Sequence, residues 1–173
     1  MNQLMLSISG ADERLLRAFI VRRRSLGTTA MRRITKVGNP VVIVPLTLTL
    51  AFHPNPLLSD VGAVAAFSLA FSHLVVHLLK RRVSRPRPRL PVAMGWLIEP
   101  EDRFSFPSGH AAAGLSVGLP LFMASSGPVG AVCLVLGLMV GVSRCYLGVH
   151  YPFDVLAGWV LAGLTVFGFS LIF

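Results

Sequence analysis

This 173-residue chain has few charged residues, few acidic residues in particular, and only two cysteines. These shortages limit the class of protein to which the chain can belong. Charged residues make up 13 % and hydrophobic residues 54 %, with a mean hydropathy of +0.71. This balance excludes an intrinsically disordered protein and argues against an ordinary soluble domain. The two cysteines, Cys133 and Cys145, fall on one predicted helix about 18 Å apart, too far for a disulfide between them.

Acidic residues number only seven against sixteen lysines and arginines, which gives a formal net charge of +9. Such a charge could indicate a nucleic-acid-binding protein. The basic residues, however, flank strongly apolar segments, and no set of aromatic residues for base stacking accompanies them. We therefore expect no nucleic-acid partner and assign the basic residues to a membrane boundary.

Long apolar runs predict an all-α integral membrane bundle. No charged residue lies between Ala111 and Val142, a run longer than the ~20 residues that one helix needs to cross a bilayer. The segment Ser125-Ser126-Gly127-Pro128 interrupts this run and indicates a helical hairpin. Applied to the whole chain, the same reading predicts about five transmembrane helices, at residues 37–52, 57–79, 108–124, 128–145 and 152–173.

Residues 1–36 form a basic amphipathic segment ahead of the membrane domain, which we place at residues 37–173. Ser9 is suited to cap a helix whose apolar stripe includes Leu15, Leu16 and Ile20, with arginines around it. This pattern predicts a helix that lies in the membrane interface. The alternative is a helix outside the membrane that packs on the domain.

Three short polar motifs fall at the ends of the predicted spans. Because the spans alternate in direction, all of these ends lie on the same membrane face, so one pocket can contain all three motifs. Cationic side chains that converge at a membrane boundary are costly unless an anion compensates them. The motifs read Lys80-x6-Arg87-Pro88, Pro107-Ser108-Gly109-His110 and Ser143-Arg144-x5-His150-x3-Asp154.

The residue types in these motifs suit the chemistry of a phosphate. Lys80, Arg87 and Arg144 carry the charge to hold phosphoryl oxygens, and arginine can bind two of them at once. Ser108, Gly109 and His110 open a helix, where backbone N–H groups without helical partners form an anion site.

The third motif supplies a nucleophile. His150 and Asp154 lie one helical turn apart, so the carboxylate can hold the imidazole in one tautomer. A neutral, oriented imidazole can attack phosphorus. His110 is then the acid that protonates the departing oxygen and the base that activates water.

The three motifs, in this order and spacing, resemble the signature motifs of the type 2 phosphatidic acid phosphatase and vanadium-haloperoxidase superfamily, and the resemblance extends from residue 37 to the end of the chain. It implies an all-helical membrane fold and metal-independent lipid dephosphorylation without a cofactor. It also implies a phosphohistidine intermediate, with His150 as nucleophile, Asp154 as its orienting partner and His110 as general acid. The same resemblance assigns phosphate binding to Lys80, Arg87, Ser108, Gly109 and Arg144.

The substrate predicted from these observations is a lipid phosphate delivered by the bilayer, because the loops are too short to recognise a large soluble substrate. Candidates are a polyprenyl diphosphate, phosphatidic acid and phosphatidylglycerol phosphate, and polyprenyl-linked substrates rank first. Alternatives are a polyprenyl-phosphate-sugar phosphatase with a cytoplasmic site and a catalytically silent protein that binds anionic lipids. The oligomeric state stays open.

Three further observations leave alternatives open. His73 and His77 lie one turn apart and could bind a metal, although polar lining beneath Lys80 fits them better. The cluster Glu99, Glu101 and Asp102 is interpreted as a solvated loop. All sixteen lysines and arginines lie on the side of the motifs, so the positive-inside rule predicts an active site at the cytoplasmic face of the cell membrane.

Overall fold

Seven α-helices account for most of the structure, a computed structural model that describes residues 3–90, 94–125 and 127–172. The all-helical fold expected from the sequence is confirmed, and the five apolar helices lie where it placed them. Ser126, in the predicted hairpin turn, and Phe173, the last residue of the fifth predicted span, lie outside the described residues. The helices are α1 (Gln3–Val21), α2 (Ser25–Val37), α3 (Pro40–Ala51), α4 (Pro56–Val83), α5 (Gly109–Ala124), α6 (Pro128–Tyr146) and α7 (Pro152–Phe169).

The helix starts follow from local sequence. Proline stands in the first turn of α3, α4, α6 and α7, where its missing N–H costs no hydrogen bond. Asn39 and Asn55 cap α3 and α4, and in each case the side-chain oxygen accepts a hydrogen bond from a first-turn N–H. These caps fix where the two helices of the α3–α4 hairpin begin.

Several helices have the length and composition of membrane spans. Helices α4, α6 and α7 are long and apolar enough to cross a bilayer alone, and α2 and α3, which meet at a 49° bend, reach the length and composition of a span only when taken together. Helix α5 is apolar but, at 16 residues, shorter. Large apolar side chains such as Leu78 and Leu164 lie exposed on the outside of the bundle. The chain is therefore an integral membrane protein.

Helix α5 lies at the centre of the bundle, in contact with α4, α6 and α7. Its contact with α6 is a backbone contact: a Cβ added at Gly114 would lie 2.6 Å from the carbonyl oxygen of Gly137. Small residues permit this close approach of helices in a membrane. The approach sets the start of α5, with the second motif, against the end of α6, with the third.

The N-terminal segment differs from the sequence-based expectation. Helix α1 begins at Gln3, so Ser9 lies inside it and the predicted cap at Ser9 is wrong. The predicted apolar stripe is divided: Leu16 and Ile20 are buried against Cys145 and Val155, whereas Leu15 is half exposed. A second helix, α2, then leads to the membrane bundle.

Candidate functional site

A cavity of about 340 Å³ lies where α4 and α6 end and α5 begins. It brings together six of the eight residues that the sequence analysis predicts as site residues. Helix α4 and the loop after it supply the first motif, the start of α5 supplies the second, and the α6–α7 region supplies the third. The six lining residues are Lys80, Arg87, Gly109, His110, Arg144 and His150.

The other two predicted residues, Ser108 and Asp154, lie behind the cavity. Ser108 is fully buried and caps α5, because its hydroxyl accepts a hydrogen bond from the N–H of Ala111 at 3.4 Å. The N–H of Ser108 donates to the carbonyl oxygen of Asp154 at 2.9 Å. The sequence analysis predicts this N–H group as part of the anion site, but it is used in a hydrogen bond inside the protein. The N–H groups of Gly109 and His110, in the first turn of α5, stay without a helical partner.

His150 lies in the short connection between α6 and α7 and is almost completely buried. Its Nδ1 is 3.6 Å from Oδ2 of Asp154, and its Nε2 is 3.3 Å from Nη1 of Arg87. Burial, reinforced by the nearby cations of Arg144 and Arg87 and opposed by Asp154, lowers the pKa of His150 to about 4. The imidazole is therefore neutral at pH 7, the form in which a ring nitrogen has a free lone pair.

Asp154 is fully buried at the start of α7 and is held from two sides. Its Oδ1 accepts a hydrogen bond from Nη1 of Arg85 at 2.7 Å, and its Oδ2 accepts one from the N–H of Tyr151 at 2.8 Å. The second contact belongs to a capping box at the start of α7. The carboxylate that faces His150 is thus fixed by backbone and by side chain.

Two carboxylates of the loop before α5 contact side chains that line the cavity. Asp102 binds Lys80 Nζ at 2.6 Å and Arg87 Nη2 at 2.9 Å, and Oε1 of Glu101 lies 3.2 Å from Nε2 of His110. Burial raises the pKa of the Asp102 carboxyl, but Lys80 and Arg87 outweigh this effect and hold the pKa below its ordinary value. Glu101 and Asp102 do lie in a loop and are about half exposed, as the sequence predicts, but the interpretation as a solvated loop misses their contacts with Lys80, Arg87 and His110.

A signal for these two residues was present in the sequence. Three of the seven acidic residues fall within the four positions 99–102, directly before the second motif. Converging cations need counter-ions in a medium of low dielectric constant. Glu101 and Asp102 belong to none of the three motifs. Their position shortly before the second motif is the feature that indicates that they lie near the site.

Arg144 carries a buried donor that points to an anionic ligand. The guanidinium is 2 % exposed, and its Nη1 donates to Oγ1 of Thr35 at 2.9 Å. Its Nε has no hydrogen-bond partner among the described residues. A buried charged donor without a partner is costly, so a ligand oxygen in the cavity would stabilise this arrangement.

The two histidines of α4 line the same cavity, in agreement with their interpretation as polar lining beneath Lys80. Nδ1 of His73 lies 3.0 Å from the carbonyl oxygen of Leu69, which leaves Nε2 toward the cavity. Among the described residues, no group of three or more His, Cys, Asp or Glu side chains could hold a metal ion. Gly38 also lines the cavity, and a Cβ there would lie 3.3 Å from Cδ2 of His110.

An apolar groove of about 360 Å³ adjoins the cavity. It runs between α3 and α4, and it shares Pro40 and His73 with the cationic cavity. The groove therefore borders the site, and it lies on α4, which can span a membrane alone, and on α3, which reaches span length only together with α2. Its other lining residues are Ile43, Val44, Thr47, Leu48, Ala66, Leu69 and Ala70.

Comparisons with known proteins agree with this geometry. A profile described as the PAP2 superfamily matches residues 62–173. The chain is 29 % identical over 135 residues to an undecaprenyl-diphosphatase of Sulfolobus acidocaldarius (78 % of this chain, 65 % of that protein). It is 37 % identical over 103 residues to a decaprenylphosphoryl-5-phosphoribose phosphatase of Mycobacterium tuberculosis (60 % and 55 %). The matched part of the chain thus spans less than two thirds of either relative.

Among solved structures, the chain is similar to the crystal structure of a transmembrane PAP2 type phosphatidylglycerolphosphate phosphatase from Bacillus subtilis. The TM-score is 0.80 at 26 % sequence identity, and the superposition covers 96 % of this chain and 86 % of the Bacillus chain. The similarity includes the N-terminal helices, which lie outside the part matched by the profile.

Proposed function

The chain belongs to the PAP2 superfamily, and from this premise we propose that it is a membrane lipid phosphatase. The proposed substrate is a phosphate or diphosphate monoester of a hydrophobic alcohol. The observation that carries the proposal is the convergence of Lys80, Arg87, Arg144, His110 and His150 on one cavity that adjoins an apolar groove. The cavity suits the phosphate, and the groove suits the hydrocarbon chain.

Phosphate binding would use the cations together with the start of α5. Gly109, His110 and Arg144 line the cavity. Among the described residues, Arg144 Nε has no hydrogen-bond partner, and the N–H groups of Gly109 and His110, in the first turn of α5, have no helical partner. Lys80 and Arg87 would contribute the remaining charge. The phosphate oxygens would bind them in place of, or beside, the carboxylate of Asp102. Such a clamp stabilises the charge on the phosphoryl oxygens as it redistributes in the transition state.

In the proposed first step, Nε2 of His150 uses its lone pair to attack phosphorus. The bond between phosphorus and the ester or anhydride oxygen breaks, and its electron pair leaves with that oxygen. His110 donates a proton to the departing oxygen. Asp154, next to Nδ1 of His150, stabilises the positive charge that develops on the ring.

The second step regenerates the enzyme. His110, now neutral, accepts a proton from water as the water oxygen attacks phosphorus of the phosphohistidine. The nitrogen–phosphorus bond breaks, its electron pair returns to Nε2 of His150, and inorganic phosphate leaves. Neither step draws on a metal ion, because the charge needed at phosphorus comes from Lys80, Arg87 and Arg144.

The groove supports a lipid as the substrate. A chain that lies between α3 and α4 would reach the cavity from the side of the bilayer, past Pro40 and His73. The relatives described above act, by their names, on undecaprenyl diphosphate, decaprenylphosphoryl-5-phosphoribose and phosphatidylglycerol phosphate. We rank polyprenyl-linked phosphates first for this chain, followed by glycerophospholipid phosphates.

Phosphate release from detergent-purified protein tests the proposal. The substrates are polyprenyl diphosphate, phosphatidic acid, phosphatidylglycerol phosphate and a polyprenyl-phosphate sugar phosphate, each with excess EDTA. We expect EDTA-resistant release from at least one lipid, at a rate well above that from a water-soluble phosphate monoester. The order of rates across the panel identifies the headgroup class.

Two outcomes would contradict the proposal. Release that disappears with EDTA would rule out the metal-independent mechanism. No release from any lipid, together with binding to vesicles that contain anionic lipid, would indicate instead a protein that binds such lipids without hydrolysing them.

We also propose that the site opens to the cytoplasmic face of the cell membrane. All sixteen lysines and arginines fall in segments on the side of the cavity or in the site itself, and the α3–α4 and α5–α6 turns contain none. Because α7 starts at the site and runs away from it, the end of α7 lies at the opposite face.

The orientation can be measured with two C-terminal fusions, one to a fluorescent protein that matures only in the cytoplasm and one to an alkaline phosphatase that is active only outside it. We expect active alkaline phosphatase and no fluorescence. A fluorescent fusion without alkaline phosphatase activity would place the C-terminus in the cytoplasm and the site outside.

A further inference from the structure

Arg85 joins two buried carboxylates that come from opposite ends of the chain. Its Nη1 donates to Oδ1 of Asp154 at 2.7 Å, and its Nη2 donates to Oδ2 of Asp12 at 2.7 Å. Both carboxylates are fully buried, and the Arg85 guanidinium lies 4.1 Å from the centre of the Tyr151 ring. Arg85 is not part of the phosphate-binding set predicted from the first motif.

Asp12 belongs to α1, the basic helix that the sequence analysis assigned to the membrane interface. Besides the Arg85 contact, its Oδ1 accepts a hydrogen bond from the N–H of Phe153 at 3.0 Å, in the first turn of α7. Leu16 and Ile20, one and two turns further along α1, are buried beside Tyr151 and Val155. Helix α1 is therefore attached to the segment that carries the predicted nucleophile.

We propose that Asp12 and Arg85 are positioning residues, which hold the Asp154 carboxylate in the orientation that it needs to orient His150. This inference rests on the proposed function, because it assigns the two residues a part in the same reaction. With Oδ1 bound to Arg85, the other oxygen, Oδ2, is directed at the Tyr151 N–H and at Nδ1 of His150, 3.6 Å away.

The charges explain why both residues are required. A carboxylate buried as fully as Asp154 needs a cationic partner, and Arg85 is that partner. Arg85 is itself mostly buried, and its second terminal nitrogen, Nη2, is held by Asp12. Without Asp12, one end of the guanidinium would lose its acceptor and turn away, and the restraint on Oδ1 of Asp154 would weaken.

The positions of the two residues separate this role from substrate binding. Neither Asp12 nor Arg85 lines the cavity or the apolar groove. Their replacement should therefore lower kcat, which depends on the orientation of His150, and should leave KM nearly unchanged.

The kinetic test uses Asp12→Asn, which keeps an oxygen for the Phe153 N–H and removes the charge that pairs with Arg85. We expect kcat to fall about 10-fold and KM to change less than about 2-fold, the size of effect typical of a residue that orients a functional ligand. Glu13→Gln is the matched control, because it removes the same charge from the next residue of α1, which is exposed. It should leave both constants unchanged.

A double-mutant cycle shows whether Asp12 acts through Arg85. Arg85→Gln alone should lower kcat about 100-fold, and adding Asp12→Asn to it should lower kcat less than 2-fold further. Equal effects of Asp12→Asn in both backgrounds would overturn the proposal, since Asp12 would then act only through the packing of α1.

The tautomer of His150 provides a readout that needs no turnover. In the ¹⁵N spectrum of histidine-labelled protein, with His150 assigned from a His150→Gln variant, we expect a single neutral form protonated at Nδ1. Asp12→Asn and Arg85→Gln should convert it to a mixture of tautomers, and Glu13→Gln should not. An unchanged spectrum in both variants would refute the positioning role. If the wild-type protein hydrolyses no lipid, the proposed function fails, and this spectrum still decides the role of Asp12 and Arg85.

Discussion

Replacing His150 with alanine should reduce lipid phosphate release by about 10,000-fold or more, because no other group in the described site is placed to act as the nucleophile. The imidazole is neutral at pH 7, its Nε2 faces the cavity beside Arg87, and its Nδ1 faces Asp154. Removal of this side chain leaves the cations and His110 in place. Phosphate binding should therefore persist while turnover stops.

The measurement combines steady-state kinetics with trapping of the intermediate. Acid-labile, base-stable label should be retained on wild-type protein quenched during turnover of a ³²P-labelled lipid, and should be absent from His150→Ala. His53→Ala is the matched control, because His53 lies in the α3–α4 turn at the far end of α4 from the cavity. Turnover near the wild-type rate in His150→Ala would sink the covalent mechanism.

Replacing His110 with glutamine should produce a loss that depends on the leaving group. For a lipid phosphate, whose alkoxide is a poor leaving group, kcat should fall about 100- to 10,000-fold, the range that general acid–base catalysis contributes. The phenolate of an aryl phosphate can leave without a proton, so the first step with this substrate should be much less affected. Its second step should still be slow, because His110 no longer activates water.

This difference predicts a burst. With an aryl phosphate, His110→Gln should release one equivalent of the phenol per enzyme rapidly and then turn over slowly, with phosphohistidine accumulated. Residues 110–118 of α5 are buried and the helix holds His110 through its backbone, so glutamine should be accommodated without displacing the helix. His150→Ala should show no burst. Equal losses for lipid and aryl substrates, without a burst, would assign His110 a binding role instead.

The membrane bundle and the convergence of the motifs could be predicted from the sequence for a simple reason. Apolar runs give the helices, and alternation of the spans determines which ends share a membrane face. Lys80, His110 and His150 lie at such ends, so their proximity follows from the order of the helices alone. The proline and asparagine residues that start α3 and α4 are equally local signals.

The contacts that the sequence did not reveal are those between irregular or distant segments. Arg85 and Asp12 are 73 positions apart, and no periodicity or spacing rule relates a residue of α1 to a loop after α4. Asp102 meets Lys80 only because the loop before α5 folds back over the end of α4. The predicted start of α1 is wrong because the prediction gives the capping tendency of Ser9 more weight than the helix-forming tendency of the residues before it.

The carboxylates of Glu101 and Asp102 bear on how a cycle of turnover ends. Inorganic phosphate keeps the negative charge that the cations hold, and a cationic pocket that binds it strongly would stay inhibited by its own product. Asp102 is attached to the pocket by the chain, is half exposed, and already pairs with Lys80 and Arg87. The Asp102 carboxylate can therefore replace the departing phosphate oxygens one contact at a time, so that Lys80 and Arg87 always have an anionic partner. In the proposed reaction, the loop before α5 would therefore supply a carboxylate that exchanges with phosphate, and the rate of product release would depend on that loop rather than on the membrane helices.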